Sequence, residues 1–477
     1  MDSISEAVNS QSLDVSSKPL RFNRNYISTT LLISLLLFGI CGLMISGLGI
    51  KVTVSVLAAV IFFLWSLLRP EYRPASIILS TALSASQIGL SLSMLSMGHI
   101  VIIIVTVAWV VDGFLRTELK IQQSHILSAL ILINFLNVLS ISKAIELRHW
   151  AFSCADFLAA SLACFLVGNL IRTPRDIDCT LKVAIYTGLL VAIFGVWQFV
   201  GLGIVRVYSI IGLGQYNTFA GYLVSIIPIS LAGYFCKKGK KEKTLYFVSS
   251  IFLIICLFMT QSRGGVLALF GVLSIIVLRI YKKNIMRILQ TFIIAFSIGL
   301  TIWVVSSAIF PLFVNIIELR IKSFGLHDTA MWSRVQLFYS AINMIKTHPI
   351  LGIGLGNYLL AYHKYGTLIM PPFIFGSAHN IFLQVLAEQG IIGFVLFYGI
   401  IFLTIHNLWI ILNKSPGENY DWWCLGLIGS ICGVLIHGFV DSIFHQRPFS
   451  LLFWSLIGLS YAVHKMASGQ RVHIKIF

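Results

Sequence analysis

Ser377-Ala378-His379-Asn380 is followed by Ile381-Phe382-Leu383-Gln384-Val385-Leu386-Ala387-Glu388-Gln389-Gly390, and an apolar run then continues to about residue 412. The stretch closes the one long polar interval of an otherwise apolar chain, roughly Pro311 to Ser377. What lies on either side of it decides the fold. A helix needs about 20 consecutive apolar residues to cross a bilayer, and such runs recur along the whole length. A membrane barrel would show strict alternation instead. The chain therefore reads as an all-α polytopic membrane protein of about 12–14 transmembrane helices, with one long helical loop on its outer face.

Composition supports this. Of 477 residues, 58% are hydrophobic and 11% charged, well away from soluble averages. The formal charge of +17 does not point to nucleic acid, because the basic residues lie in short clusters between apolar runs, as the positive-inside rule requires. The polar, Ser-rich segment up to Lys18 lacks a hydrophobic core of its own, so no cleaved signal is expected and the first apolar run stays as a helix. The eight cysteines fall in apolar runs or short linkers and outline neither a disulfide framework nor a metal site.

The expected spans are 27–46, 49–68, 75–95, 98–115, 125–141, 151–171, 182–201, 217–236, 244–260, 265–281, 288–310, 390–412, 423–441 and 449–464. They divide the chain into a cytoplasmic tail (1–25), a helical bundle (26–310), an outer loop with amphipathic helices (311–389), C-terminal spans (390–465) and a second cytoplasmic tail (466–477). With both termini inside, 23 of the 34 basic residues fall on the cytoplasmic side, the direction of the insertion bias. Arg206, Arg263, His379 and the turn from Asp441 to Arg447 then share the outer face. Several cations against the bias, around one polar loop, mark a candidate site.

Local patterns refine it. Ser377 reads as an N-cap, placing His379 in the first turn of the following helix; taken alone, a histidine there fits a surface loop as well as a reacting group. Thr260-Gln261-Ser262-Arg263-Gly264-Gly265 is so short that Arg263 sits at the membrane boundary. Trp332, Val335, Phe338, Ala341, Ile342 and Ile345 recur at helical spacing, giving a surface helix from about Ala330 to Thr347, ended by His348-Pro349. Gly352-Ile353-Gly354-Leu355-Gly356-Asn357 suits tight packing against the bundle better than phosphate binding, since no strand precedes it. His437 and Asp441 are one helical turn apart and are expected to brace each other, with Arg447 either a third cation near them or, equally, part of a plain structural turn. Guanidinium forks suit phosphate, while no acidic pair or His/Cys cluster offers metal ligands.

The series Gln215-Tyr216-Asn217-Thr218-Phe219-Ala220-Gly221, Gln261-Ser262-Arg263-Gly264-Gly265, Trp332-Ser333-Arg334, His348-Pro349-Ile350-Leu351-Gly352-Ile353-Gly354 and Ala378-His379-Asn380 resembles the O-antigen ligase and polymerase superfamily over about Leu190 to Leu412. The resemblance implies a GT-C-like, metal-independent, inverting membrane glycosyltransferase without a cofactor. It implies a donor glycan on undecaprenyl diphosphate, a glycan or lipid A–core acceptor, and a site on the periplasmic face of a bacterial inner membrane. Carried onto matching positions, it makes His379 the general base or the group that orients the acceptor hydroxyl. Arg263 and Arg206 become the diphosphate clamp, Arg334 a further cation, and Asn217 and Asn380 supporting groups, beside His437 and Asp441. Ligase and polymerase remain open alternatives. An anion or bicarbonate transporter is the rival from another class, with Asp156 its best membrane-interior ionisable group.

Overall fold

The computed structural model describes residues 50–84, 96–116, 120–122, 124–208, 215–281, 284, 286–287, 290, 329–366, 377–414, 420–469 and 473–475. The chain divides into two compact units, Met1–Trp65 and Ser66–Phe477. In the first, the described residues are those of helix α1 (Ile50–Leu68) as far as Trp65. In the second, α2 (Arg73–Leu83), α3 (Met97–Leu115), α4 (His125–Leu139), α5 (Leu147–Leu170), α6 (Pro174–Leu202), α7 (Tyr216–Cys236), α8 (Lys240–Met259) and α9 (Arg263–Ile280) follow in order. Next come α10 (Thr329–Thr347), α11 (Tyr358–Tyr365), α12 (Ile381–Lys414), α13 (Tyr420–Gly438) and α14 (Arg447–Ser468). Among the described residues, nine helices are long and apolar enough to cross a membrane. The chain is an all-α polytopic membrane protein.

Each expected span from 98 to 281, and the last three, coincides with a helix, although α12 begins at Ile381 rather than near 390. The run at 27–46, the run at 288–310 apart from residue 290, and residues 85–95 of the run at 75–95 lie outside the described residues. Large apolar side chains stand exposed along the helices, among them Val200, Phe402 and Phe135, as an outer surface facing lipid requires. α7 is the axis of the bundle, buried almost continuously from Thr218 to Gly233. α13 lies close against it: a Cβ at Gly426 would meet Ala232 at 2.7 Å and one at Gly433 would meet Val224 at 2.7 Å. Small residues let the two backbones approach, which is how helices gain packing energy where lipid supplies no hydrophobic drive. The Ser430 hydroxyl seals the contact by donating to the Ser225 carbonyl at 2.6 Å.

The two ends of the bundle differ. At one, Lys237 and Lys182 both pair with Asp178, joining the α6 start to the α7–α8 linker. The strands β1 (Lys120–Gln122) and β2 (His473–Lys475) pair antiparallel, so the 116–124 linker and the C-terminal tail occupy the same side, as the charge pattern expects. The other end carries the 203–208 segment, the α8–α9 turn, the α10–α12 region and the α13–α14 turn.

That second end is built around a kink. Gly390, at φ 62°, interrupts α12, and a Cβ there would stand 2.3 Å from the Ile350 carbonyl oxygen. Into the kink zips the glycine loop: Ile353 N–H donates to Ala387 O, Gly354 N–H to Glu388 O, and Ile391 N–H to Pro349 O, each at 2.9 Å. Lys143 caps it, its ammonium on the Gly352 carbonyl at 2.6 Å. The glycines at 352, 354 and 356 thus fold a tight turn against the bundle, as the sequence suggests. The expected α10 helix is present: Ser333, Leu337, Ser340, Ala341 and Met344 are buried, while Val335 and Ile342 are exposed. The buried side packs against α11 and α12.

Candidate functional site

Two groups of residues meet at this end. The first forms around the α8–α9 turn. Ser262 is the N-cap of α9, accepting from Gly265 N–H at 3.3 Å and donating its own hydroxyl proton to Asn217 Oδ1 at 2.9 Å. One serine therefore ends the turn, starts the helix that carries Arg263, and ties it to the first turn of α7. Gln261 holds a positive φ of 53°, a conformation that costs a non-glycine residue about 1 kcal/mol or more and tends to be kept where a turn must be held in one shape. The neighbouring segment is stitched on: Gln261 Nε2 donates to Val205 O at 3.2 Å and Val207 N–H to Met259 O at 3.2 Å. Arg206 donates Nε–H to Thr260 O at 3.3 Å, and its guanidinium lies over the Tyr216 ring, 3.0 Å from the centroid. The structure thus brings Arg206, Asn217 and Arg263 onto one turn. Tyr216, under Arg206, was not singled out in the sequence, since an aromatic at a helix start looks like an ordinary interface residue.

The second group forms at the start of α12. The cap is Asn380, not Ser377: Asn380 Oδ1 accepts from Phe382 N–H and Leu383 N–H, both at 2.9 Å. His379 consequently lies before the helix rather than in its first turn, with φ 49°. Ser377 gives only a 3.5 Å contact to His379 N–H, because the asparagine side chain reaches the free amides first. Asn380 also donates Nδ2–H to Phe439 O at 3.0 Å, which docks the α12 start on the end of α13. Across that junction His379 Nδ1 stands 3.1 Å from Asp441 Oδ1, which also accepts from Ser442 N–H at 2.8 Å. Asp441 is 6% exposed. Burial pushes its carboxyl up, but the His379 hydrogen bond and the charges of His379, His437 and Arg334 outweigh it and hold the group below the usual carboxylate range. Arg334 is therefore within electrostatic reach of the pair.

Among the described residues no hydrogen bond joins His437 to Asp441, and their interaction is electrostatic alone. Both ring nitrogens of His437 are buried without a hydrogen-bond partner among the described residues, and Asp441 turns to His379 instead. His437 sits between two glycines: a Cβ at Gly221 would be 3.2 Å from its Nδ1 and one at Gly264 2.6 Å from its Cδ2. It thereby packs the α13 end directly behind Arg263 and joins the two groups. Arg447 is not a third cation beside them either. It pairs with Asp156, Nε to Oδ1 at 2.8 Å, because α14 packs along α5 and delivers its first residue to that helix. The membrane-interior carboxylate considered for transport is thus already neutralised.

Chemically, the assembled site offers guanidinium groups on a rigid turn and an imidazole held by a buried carboxylate. A carboxylate accepting from Nδ1–H leaves Nε2 as the nitrogen able to accept a proton.

Residues 248–398 match the family described as O-antigen ligase. They include Arg263, Arg334, His379 and Asn380 and leave Arg206, Asn217, His437 and Asp441 outside. A protein of Haemophilus influenzae, described as uncharacterised, is 27% identical over 210 residues, covering 42% of this chain. The match spans about half the length of that relative, 51%. Over residues 248–398 the chain is thus similar to O-antigen ligases.

Proposed function

We propose that this protein is a bacterial membrane glycosyltransferase that moves a glycan from undecaprenyl diphosphate to an acceptor hydroxyl, on the periplasmic face of the inner membrane. The observation that carries the reading is the His379–Asp441 pair, held at the same end of the bundle as the Arg206–Arg263 turn. His379 Nε2 takes the proton of the acceptor hydroxyl as its oxygen attacks the anomeric carbon. The bond from that carbon to the diphosphate oxygen breaks, and the departing charge falls to Arg263 and Arg206, with Arg334 nearby. A single displacement of this kind inverts the anomeric centre. Guanidinium groups supply the countercharge directly, so the scheme needs no metal. Asp441 acts through His379 by fixing its tautomer and its ring orientation.

Attachment of a finished glycan to lipid A–core is the favoured reaction, with chain polymerisation as the alternative within the same chemistry. A strain lacking the gene, examined for surface glycan, tests the proposal. Loss of attachment with accumulated polymer identifies a ligase, and single repeat units identify a polymerase. Normal glycan with impaired anion uptake refutes both in favour of transport.

A further inference from the structure

Beside the His379–Asp441 pair lies a cavity of about 380 Å³, at the lower end of the size range of small-molecule sites. Nothing in the mechanism above uses it. Ile381 and Ser442 stand in its wall, one residue beyond Asn380 and Asp441 respectively, so the cavity backs directly onto the site. Its polar lining is unusual in one respect. Five lining atoms are buried without a hydrogen-bond partner among the described residues: His99 Nε2, Asp156 Oδ1, Gln384 Nε2, Gln389 Oε1 and Ser442 Oγ. The first, third and last belong to residues only 3%, 4% and 5% exposed. His99 Nε2 and Asp156 Oδ1 stand within ion-pair distance of each other, and Oδ1 also of Arg447, but unsatisfied buried polar atoms are costly and few, and the other three around one hollow point to what fills it.

Their chemistry is mixed. His99 Nδ1 accepts from Ser96 N–H at 3.2 Å, which leaves Nε2 as a donor. Gln384 Oε1 is occupied by Ala378 N–H at 2.6 Å, which turns its amide nitrogen, also a donor, toward the cavity. Asp156 Oδ1 and Gln389 Oε1 are acceptors. Oδ1 lies 2.8 Å from Arg447 Nε and 3.1 Å from His99 Nε2, but both approaches are off the line of a hydrogen bond. Ser442 Oγ does either. Glu388 adds a second carboxyl group to the wall and Arg447 is bound to Asp156, so an anion is disfavoured, and a lipid tail would offer no partner to Gln384 Nε2, Gln389 Oε1 or Ser442 Oγ. Hydroxyl groups, each donating and accepting, match the set. Phe397, Phe444 and Trp454 complete the wall as an edge-to-face cluster, with Phe397 5.2 Å from Trp454 and 5.6 Å from Phe444. Rigid aromatic faces suit the C–H face of a sugar ring.

We infer that this cavity is a binding site for a neutral saccharide unit, belonging to one of the two glycans handled at the adjoining site. The place in the reaction rests on the transferase reading; the binding itself does not. The test uses the full chain in lipid nanodiscs and saturation-transfer NMR with glucose, galactose and N-acetylglucosamine. Wild type and His379→Ala should both bind at least one of them. Gln389→Met with Ser442→Ala should weaken binding roughly 10- to 100-fold, from the loss of two hydrogen bonds. That variant should melt no lower than wild type, because it removes two unpaired buried atoms; Gln389→Met alone should show roughly a several-fold loss. Absence of binding by all three sugars, or binding unchanged in the double variant, overturns the inference and leaves a water-filled hollow. In a turnover assay, a raised KM for the acceptor in the double variant assigns the sugar to the acceptor, and a raised KM for the donor assigns it to the donor glycan. Unchanged values for both overturn the site's part in the reaction. Sugar binding without any turnover by wild type refutes the transferase reading while the cavity's assignment stands.

Discussion

Replacing Asp441 with asparagine tests the core of the proposed mechanism. The carboxylate is buried and meets His379 Nδ1 at 3.1 Å, while Ser442 N–H holds the same oxygen at 2.8 Å. Asparagine keeps the shape but not the charge: with its oxygen on Ser442 N–H it still accepts from Nδ1–H but no longer supplies the negative charge that stabilises an imidazolium, and turned round it gives up the Ser442 contact. If its amide N–H turns toward Nδ1, that nitrogen must accept, the proton moves to Nε2, and the imidazole can no longer take one from the acceptor. A positioned general base is worth roughly 10²–10⁴-fold, about 2.7–5.4 kcal/mol. Asp441→Asn should therefore cost most of what His379→Ala costs. Because the two residues act as a unit, the double variant should be little slower than His379→Ala alone. The assay is turnover of purified protein with a lipid-linked donor, beside donor binding, which should persist because the arginines are untouched. Near-wild-type turnover in Asp441→Asn, or additive losses in the double variant, would refute the reasoning. The pH dependence adds a check. A carboxyl held below its unfolded value of about 3.9 stabilises the fold in full above that pH and loses the contribution as pH falls through its lower folded value. The melting-temperature gap between wild type and Asp441→Asn should thus be constant above about pH 4 and shrink only below it. A gap already closing between pH 7 and 5 would mean the carboxylate is not held as described.

The remaining expectations concern the arginine turn and the orientation. Arg263→Lys should lose nearly as much turnover as Arg263→Ala, because lysine keeps the charge but not the planar fork; a fully active lysine variant would reduce the residue to a generic cation. Gly264→Ala places a Cβ 2.5 Å from Val440 and 2.6 Å from His437, so it should cost about 1–3 kcal/mol in thermal stability through overpacking and lower activity by shifting Arg263. An alanine variant with unchanged stability and turnover would remove His437 as the link between the two residue groups. Cysteines placed at Gly325 or Thr367 should react with impermeant thiol reagents from outside the cell, and one at Gly239 should not. The reverse pattern would invert the site's placement.

The sequence by itself determined the elements. Membrane-spanning helices follow from the length and continuity of apolar runs, and these are local properties, so the spans from 98 to 281 could be placed without coordinates. Charge clusters are equally local; the β1–β2 pairing and the Asp178 ion pairs fall on the side the lysines and arginines indicate. The glycine loop at 352–356 was legible as a tight turn for the same reason, since the backbone demand is written in the residue type. Only the tertiary structure decided the partners. His379 and Asp441 are 62 positions apart, Arg447 and Asp156 291, and no periodicity couples such distances. Helical spacing pointed to His437–Asp441, a local pairing, whereas docking of α12 onto α13 through Asn380 gave the carboxylate to a histidine on another element. Cap competition, which turned Ser377 into a bystander, likewise depends on what packs alongside. Hydrophobic pattern chooses helices; the close approach of their ends chooses which charges meet.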